Sequence, residues 1–267
     1  MSKERLRLGL VGKDVSKSDS ERIHTFILKE LGVECEYERF SVALDDFDSA
    51  MRRLLGDFDG FNVTIPYKRE VMEYLDGIVG DAIKCGSVNT VVSATGAGYN
   101  TDGVGFSLML RAAGIAVKEK KVLVLGGGGS GRSTAVALKA AGAKVYMYQR
   151  RKDALEEVCR QLNLLSVENP ESGEFDILVN CTGVGMHDTE GKSPVGESAF
   201  RGAEAAIDLI YHPEESEFLR LAKLSGVQTL NGAAMLFYQA YYADCLYLER
   251  KPDDELAKAL YEKFKQG

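Results

Sequence analysis

VLVLGGGGSG, residues 122–131, is the stretch whose reading decides the fold. Val122 to Leu125 is a short apolar strand pattern, and Gly126, Gly128 and Gly131 then satisfy G-x-G-x-x-G. A helix is predicted next, running to Ala141 and ended by Gly142. In that setting the first glycine permits a tight turn, the second lets backbone approach a pyrophosphate, and the third allows close helix–sheet packing. The helix N-terminus adds N–H groups and a partial positive charge. A loop that merely turns would also use glycine, but four in a row lose much conformational entropy on folding. Close approach to a ligand is the stronger reading, and it assigns Gly126, Gly127, Gly128, Gly129, Ser130 and Gly131 to a dinucleotide.

The next strand, Lys144 to Gln149, distinguishes between cofactors. An acid at its end would hold the ribose 2′-hydroxyl of NAD. The chain instead reads Gln149-Arg150-Arg151-Lys152, with no acid before Asp153. Guanidinium groups suit the 2′-phosphate of NADP. The alternative is a solvated basic patch at a helix start, although cations there oppose the helix dipole.

Further strands are predicted near Phe175 to Cys181, Ala206 to Ile210 and Val227 to Leu230. Repeated βα units imply a parallel sheet with right-handed crossovers. Upstream, strands at Leu6 to Val11, Cys35 to Phe40 and Gly60 to Ile65 alternate with helices. The first helix sets Ile23, Phe26, Ile27 and Leu31 on one face, with Ser20 as its cap, and the second spans Asp45 to Leu55. Pro66 is expected to open a third from its first position. Asn89 to Thr101 reads as a hairpin, and Val104 to Ala113 as a helix. Two closing helices, Met235 to Glu249 and Asp253 to Lys265, have no strand between them, so the first is expected to return to the N-terminal half.

At 267 residues and roughly 150 per domain, two domains fit. The reading is α/β: an N-terminal α/β domain with a mostly parallel sheet (1–103 plus 237–267) and a Rossmann-type NADP-binding domain (104–236). Net charge −7 argues against a nucleic-acid partner. No apolar stretch approaches the ~20 residues that cross a bilayer, and the N-terminal apolar run is too brief for a signal peptide. The five cysteines are far apart with no Cys-x-x-Cys, and His24, His187 and His212 lack metal spacing, so neither disulfides nor a metal are expected. A cytoplasmic protein is expected.

Two further residues draw notice. Lys68, in Asn62-Val63-Thr64-Ile65-Pro66-Tyr67-Lys68, is placed by this reading in a helix first turn, against the dipole. Asp102, in Gly98-Tyr99-Asn100-Thr101-Asp102-Gly103, directly precedes a helix. Taken singly, each has an ordinary explanation: an exposed lysine and a helix N-cap.

Together with the glycine loop, the pattern resembles the shikimate dehydrogenase family. The matching segments are NVTIPYK (62–68), GSVNT (86–90), GYNTDG (98–103), the glycine loop, Gln149 to Arg151, NCTGVGM (180–186), DLIYHP (208–213) and NGAAMLFYQA (231–240). NVTIPYK and YNTDG are family-specific, whereas many dehydrogenases share the glycine loop. The resemblance implies reversible NADPH-dependent reduction of 3-dehydroshikimate, a polyhydroxylated cyclic acid, by a monomer or homodimer. It implies that the N-terminal α/β domain is the substrate domain, with a catalytic pair at Lys68 and Asp102, and substrate contacts at Ser18, Ser20, Thr64, Asn89, Tyr211 and Gln239. NADP contacts are implied at the loop, Gln149, Arg150, Arg151, Thr182, Gly232 and Met235.

The chain departs from the family at Gly12-Lys13-Asp14 and at Lys17-Ser18-Asp19-Ser20-Glu21, where the family has Gly-x-Pro and His-Ser-x-Ser-Pro. Either Glu21 is an ordinary acidic first-turn residue, or the acid pocket is altered and the substrate shifts towards quinate or a similar ring acid. A third reading, from another class, is an NADP-binding sensor without catalysis; retention of both Lys68 and Asp102 counts against it.

Overall fold

A computed structural model describes residues 4–171 and 174–267. In chain order the first elements are β1 (Arg5–Gly12), α1 (Ser20–Glu30), β2 (Glu34–Ser41), α2 (Phe47–Asp57), β3 (Gly60–Val63), β4 (Gly77–Ile78), α3 (Asp81–Cys85), β5 (Thr90–Val92), β6 (Ala97–Tyr99) and α4 (Asp102–Ala112). Then come β7 (Lys121–Leu125), α5 (Gly129–Ala140), β8 (Lys144–Tyr148), α6 (Lys152–Leu162), β9 (Leu165–Ser166) and β10 (Ile177–Asn180). The remainder is β11 (Ala205–Asp208), α7 (Glu217–Leu224), β12 (Gln228–Leu230), α8 (Ala233–Tyr247) and α9 (Asp254–Phe264). The chain divides into two compact units, Met1–Gly105 with Leu236–Gly267, and Phe106–Met235.

The first unit holds a sheet of order β2-β1-β3-β5-β6-β4. β1 pairs parallel with β2 and β3, β5 pairs antiparallel with β3 and β6, and β4 runs parallel to β6. Period-two alternation gives the sheet two buried faces. Leu6 and Leu8 of β1 join Leu28, Ala243 and Tyr247 in one core cluster. Val11 joins Met51, Leu54, Phe61 and Tyr67 in the other. Edge strand β2, ECEYERFS, carries a row of charges, which suits a strand open on one side. The buried stripe of α1 is Ser20, Ile23, His24, Ile27 and Leu28. It is therefore rotated from the predicted face towards His24, while Phe26 packs edge-on against Phe264.

The second unit has the parallel order β12-β11-β10-β7-β8-β9. This is the doubly wound arrangement, in which the strand order reverses between β7 and β10. All residues of β10 and β11 are buried, as a sheet covered on both faces requires. The α/β reading with a Rossmann-type unit holds, and α8 from Leu236 onward lies in the first unit.

Two expectations fail. Pro66 opens no helix: the Ile65–Pro66 peptide is cis, and a 3₁₀ helix forms only at Glu70–Tyr74. Tertiary packing overrides the local pattern. Tyr67 is buried, stacks on Phe47 at 4.2 Å between ring centroids, and its hydroxyl donates to the Val42 carbonyl at 2.6 Å. The Lys68 carbonyl accepts from Val88 N–H at 2.7 Å. Lys68 thus lies in a turn, and its predicted conflict with a helix dipole does not arise. The second failure is the cap of α1: Asp19 occupies that position, and Ser20 is the first helical residue, its N–H donating to Ser18 Oγ at 3.2 Å.

Tyr67→Phe keeps the stacked ring but leaves a buried carbonyl without its donor. The expected loss is about 1 kcal/mol of stability, read as a lower urea midpoint at unchanged slope.

Candidate active site

Lys68 and Asp102 come from different elements, the turn after β3 and the first residue of α4, yet Lys68 Nζ donates to Asp102 Oδ2 at 2.6 Å. Both are buried, at 8% and 5% exposure. Asn89, just before β5, donates from Nδ2 to Asp102 Oδ1 at 2.8 Å, Thr101 Oγ1 at 3.0 Å and Gln239 Oε1 at 3.1 Å. Its Oδ1 accepts from the Thr101 N–H at 2.8 Å. Both Asp102 oxygens are therefore bound by side chains from elsewhere in the chain. Gln239 reaches the cluster because Gly105 lets α4 and α8 touch: a Cβ there would stand 2.7 Å from the Gln239 nitrogen.

Ser18 donates to Ser20 Oγ at 3.0 Å. The Tyr37 hydroxyl donates to Asn62 Oδ1 at 3.2 Å. Asn62 Nδ2 continues to the Asn89 carbonyl at 3.3 Å. A polar chain thus runs from Tyr37 to the lysine–aspartate cluster. Burial raises the Tyr37 hydroxyl's pKa well above its ordinary value, so it stays protonated. Thr64 is half-buried against Gly12. The acids of the altered loop are engaged: Glu21 with Arg39 at 3.2 Å, and Asp19 with Arg22 at 4.0 Å.

In the second unit Gly126 follows β7 with φ +101°, and Gly128 caps α5 with open space where a Cβ would stand. Gly131 sits so close to the turn that a Cβ would lie 1.9 Å from the Gly126 carbonyl oxygen. Gln149 Oε1 accepts from Gly127 N–H at 3.1 Å. Thr182, after β10, packs its methyl towards Gly126. The loop and Thr182 thus flank the point where strand order reverses, the usual crevice for a nucleotide. Arg150 and Arg151 are exposed and pair with no acid among the described residues, while Lys152 lies 3.6 Å from Glu168. Unpaired guanidinium groups beside an open glycine cradle fit NADP. Gly232 is held against the Leu209 carbonyl, Met235 is buried, and Tyr211 is half-buried beside His212.

Tyr37, Asn62, Thr101, Asn180 and Asp208 were not singled out from sequence. Asn180 and Asp208 did carry a signal, a polar residue closing an otherwise apolar strand.

The shikimate dehydrogenase substrate binding domain family matches residues 10–91, and the alanine dehydrogenase/PNT C-terminal domain family matches residues 94–187. The NADP(+) shikimate dehydrogenase of Caldanaerobacter subterraneus is 38% identical over 96% of this chain and 95% of its own. A crystal structure of shikimate dehydrogenase 1 from Peptoclostridium difficile superposes with TM-score 0.89 at 34% identity, covering 97% of this chain and 98% of that one. The Thermus thermophilus shikimate 5-dehydrogenase in complex with NADP(H) and shikimate gives 0.88 at 34%, covering 97% and 99%. Fold, loop and cation pair define an α/β oxidoreductase that uses NADP. The chain belongs to the shikimate dehydrogenase family.

Gly131→Ala forces the loop apart and is expected to cost about 1–3 kcal/mol of stability while weakening NADPH binding. Urea unfolding and fluorescence titration read the two effects.

Proposed function

We propose that the chain reduces 3-dehydroshikimate to shikimate reversibly, with Lys68 and Asp102 as its catalytic pair. The carrying observation is the 2.6 Å contact between Lys68 Nζ and Asp102 Oδ2, buried in one hydrogen-bonded cluster with Asn89 and Gln239. NADPH, when bound, supplies the hydride. Reduction of a ring ketone builds negative charge on its oxygen, and the Lys68 ammonium is the group that meets that charge and delivers a proton from Nζ. Asp102 holds the ammonium in place, and Asn89 holds Asp102.

The hydroxyls of Ser18 and Ser20 receive the substrate carboxylate, and Thr64, Asn89, Tyr211 and Gln239 serve its ring hydroxyls. The glycine loop, Gln149, Thr182, Gly232 and Met235 hold the dinucleotide, with Arg150 and Arg151 on its 2′-phosphate. We read the first unit as the substrate domain and the second as the NADP domain, in a cytoplasmic monomer or homodimer. Among the described residues, no helix is long and apolar enough to cross a membrane.

The substituted loop keeps a second substrate, quinate or a related acid, in view. The ion pairs of Glu21 and Asp19 support shikimate, because they neutralise the carboxylates that would repel an anionic ring. Comparison of kcat/KM for the two acids is expected to favour shikimate; preference for quinate would reverse that assignment.

Lys68→Ala is expected to lower kcat by about 10²–10⁴-fold with KM values changed only a few-fold. Undiminished turnover would sink the catalytic assignment. Wild-type protein that binds NADPH yet reduces no shikimate-like acid would favour the sensor reading instead.

A further inference from the structure

Asp208 closes β11 with its side chain fully buried, a costly place for a carboxylate unless every oxygen is satisfied. Four contacts satisfy it. Asn180 Nδ2 lies 3.1 Å from both Oδ1 and Oδ2, Ile210 N–H donates to Oδ1 at 3.0 Å, and Ser216 Oγ donates to Oδ2 at 2.5 Å. None of these partners carries a charge. Ser216 in turn caps α7, accepting from Leu219 N–H at 3.3 Å.

Asn180 closes the neighbouring strand β10, and its other end faces the nucleotide loop. Oδ1 accepts from Thr182 Oγ1 at 2.7 Å and from Thr182 N–H at 3.0 Å. Thr182 Cγ2 would lie 2.9 Å from a Cβ built on Gly126, so Thr182 bears directly on the first glycine of the cradle. Thr182 Oγ1 also accepts from Val184 N–H at 3.1 Å.

A primary amide has a donating end and an accepting end, and an ionised carboxylate only accepts. Three groups set which end of Asn180 faces which way: Thr182 N–H, which only donates, takes the oxygen, while the Val184 carbonyl at 3.2 Å and the ionised Asp208, which only accept, take the NH₂. An uncharged amide at 208, able to donate as well as accept, would remove the Asp208 share of that restraint and its charge assistance. Burial pushes the Asp208 carboxyl up to about 6, against the lowering effect of Ser216, Ile210 and Asn180, so it remains acceptor-only at pH 7.5 and above.

We propose that Asp208 is a positioning residue for the dinucleotide, fixing the Asn180 amide so that Thr182 is held against the glycine loop. This rests on the NADP reading of that loop.

The test is steady-state oxidation of shikimate by NADP⁺ at pH 8, with wild type, Asp208→Asn, Asn180→Ala and the double variant. Asp208→Asn is expected to raise KM for NADP⁺ about tenfold, as loss of a charge-assisted hydrogen bond does, with kcat and KM for shikimate within about twofold. Because the two residues act through one chain, the double variant should exceed the larger single effect by little. If Asp208→Asn does not fold, Asn180→Ala carries the test, since it removes the amide through which Asp208 acts on Thr182. A rise of a few-fold in KM for NADP⁺ supports the proposal, and no rise overturns it. Wild type and Asp208→Asn saturating equally with NADP⁺ overturns the role of Asp208 alone. A wild type that fails to saturate overturns the reading of the loop itself.

Discussion

An ammonium and a carboxylate buried together are the constraint on which the first unit is organised. Removing two charges from water costs several kcal/mol per ion, and mutual attraction offsets this only when geometry is good and the remaining valences are filled. Lys68 and Asp102 meet the first condition at 2.6 Å. Asn89 meets the second through its bond to Asp102 Oδ1, and Thr101 and Gln239 hold Asn89 in turn; the three come from the approach to β5, the end of the β5–β6 hairpin and α8. That requirement gives the returning helix a purpose beyond packing. The chain leaves the first unit after Gly105 and comes back at Leu236, and the return brings Gln239 onto Asn89, some 150 positions away in sequence. Gly105 makes the approach possible.

The second unit handles charge by a different means. Its cradle is mostly backbone, so precision comes from how closely strands, turn and helix approach rather than from side-chain pairing. Gly131 against Gly126 and Gly232 against Leu209 leave no room for a Cβ. The cations that would meet a phosphate are left exposed, where water solvates them until a ligand arrives. A preformed backbone cradle loses little entropy on binding. The side chains behind it, Asn180 and Asp208, are buried and fully engaged instead.

What could be read from sequence was what is local. The strand–glycine–helix unit, the β5–β6 hairpin and the cationic strand end each lie within about 20 residues, and short-range stereochemistry specifies them. Lys68 and Asp102 stand out through motif resemblance and not through local physics, because Lys68 lies in a turn and opposes no helix dipole. Tyr67 packs into a distant cluster and keeps a helix from starting at Pro66. Burial was the quantity least available. His24 looked unremarkable, yet it is fully buried and 2.6 Å from Asp244, a partner 220 positions away on α8. Only the fold reveals that the stripe of α1 turns towards that partner. Tyr37 and Asn62 escaped notice for the same reason, since each matters through a contact 25 positions distant.

The altered loop at Lys17 to Glu21 shows why net charge says little about a site. Two added acids beside an expected carboxylate pocket read as repulsion in a linear sequence. In the fold, Glu21 reaches across to Arg39, whose Nη1 also donates to the Ser16 carbonyl at 2.7 Å. Exposed pairs of this kind contribute little stability, typically ~0–1 kcal/mol. Their effect here is electrostatic: the acid acquires a counter-ion and the loop backbone acquires a tether. Ser18 and Ser20 stay hydrogen-bonded to each other. Screening confines charge effects to about 8 Å at physiological salt, so an anion placed at this loop would respond to this neighbourhood and hardly to the surplus of −7 carried by the whole chain.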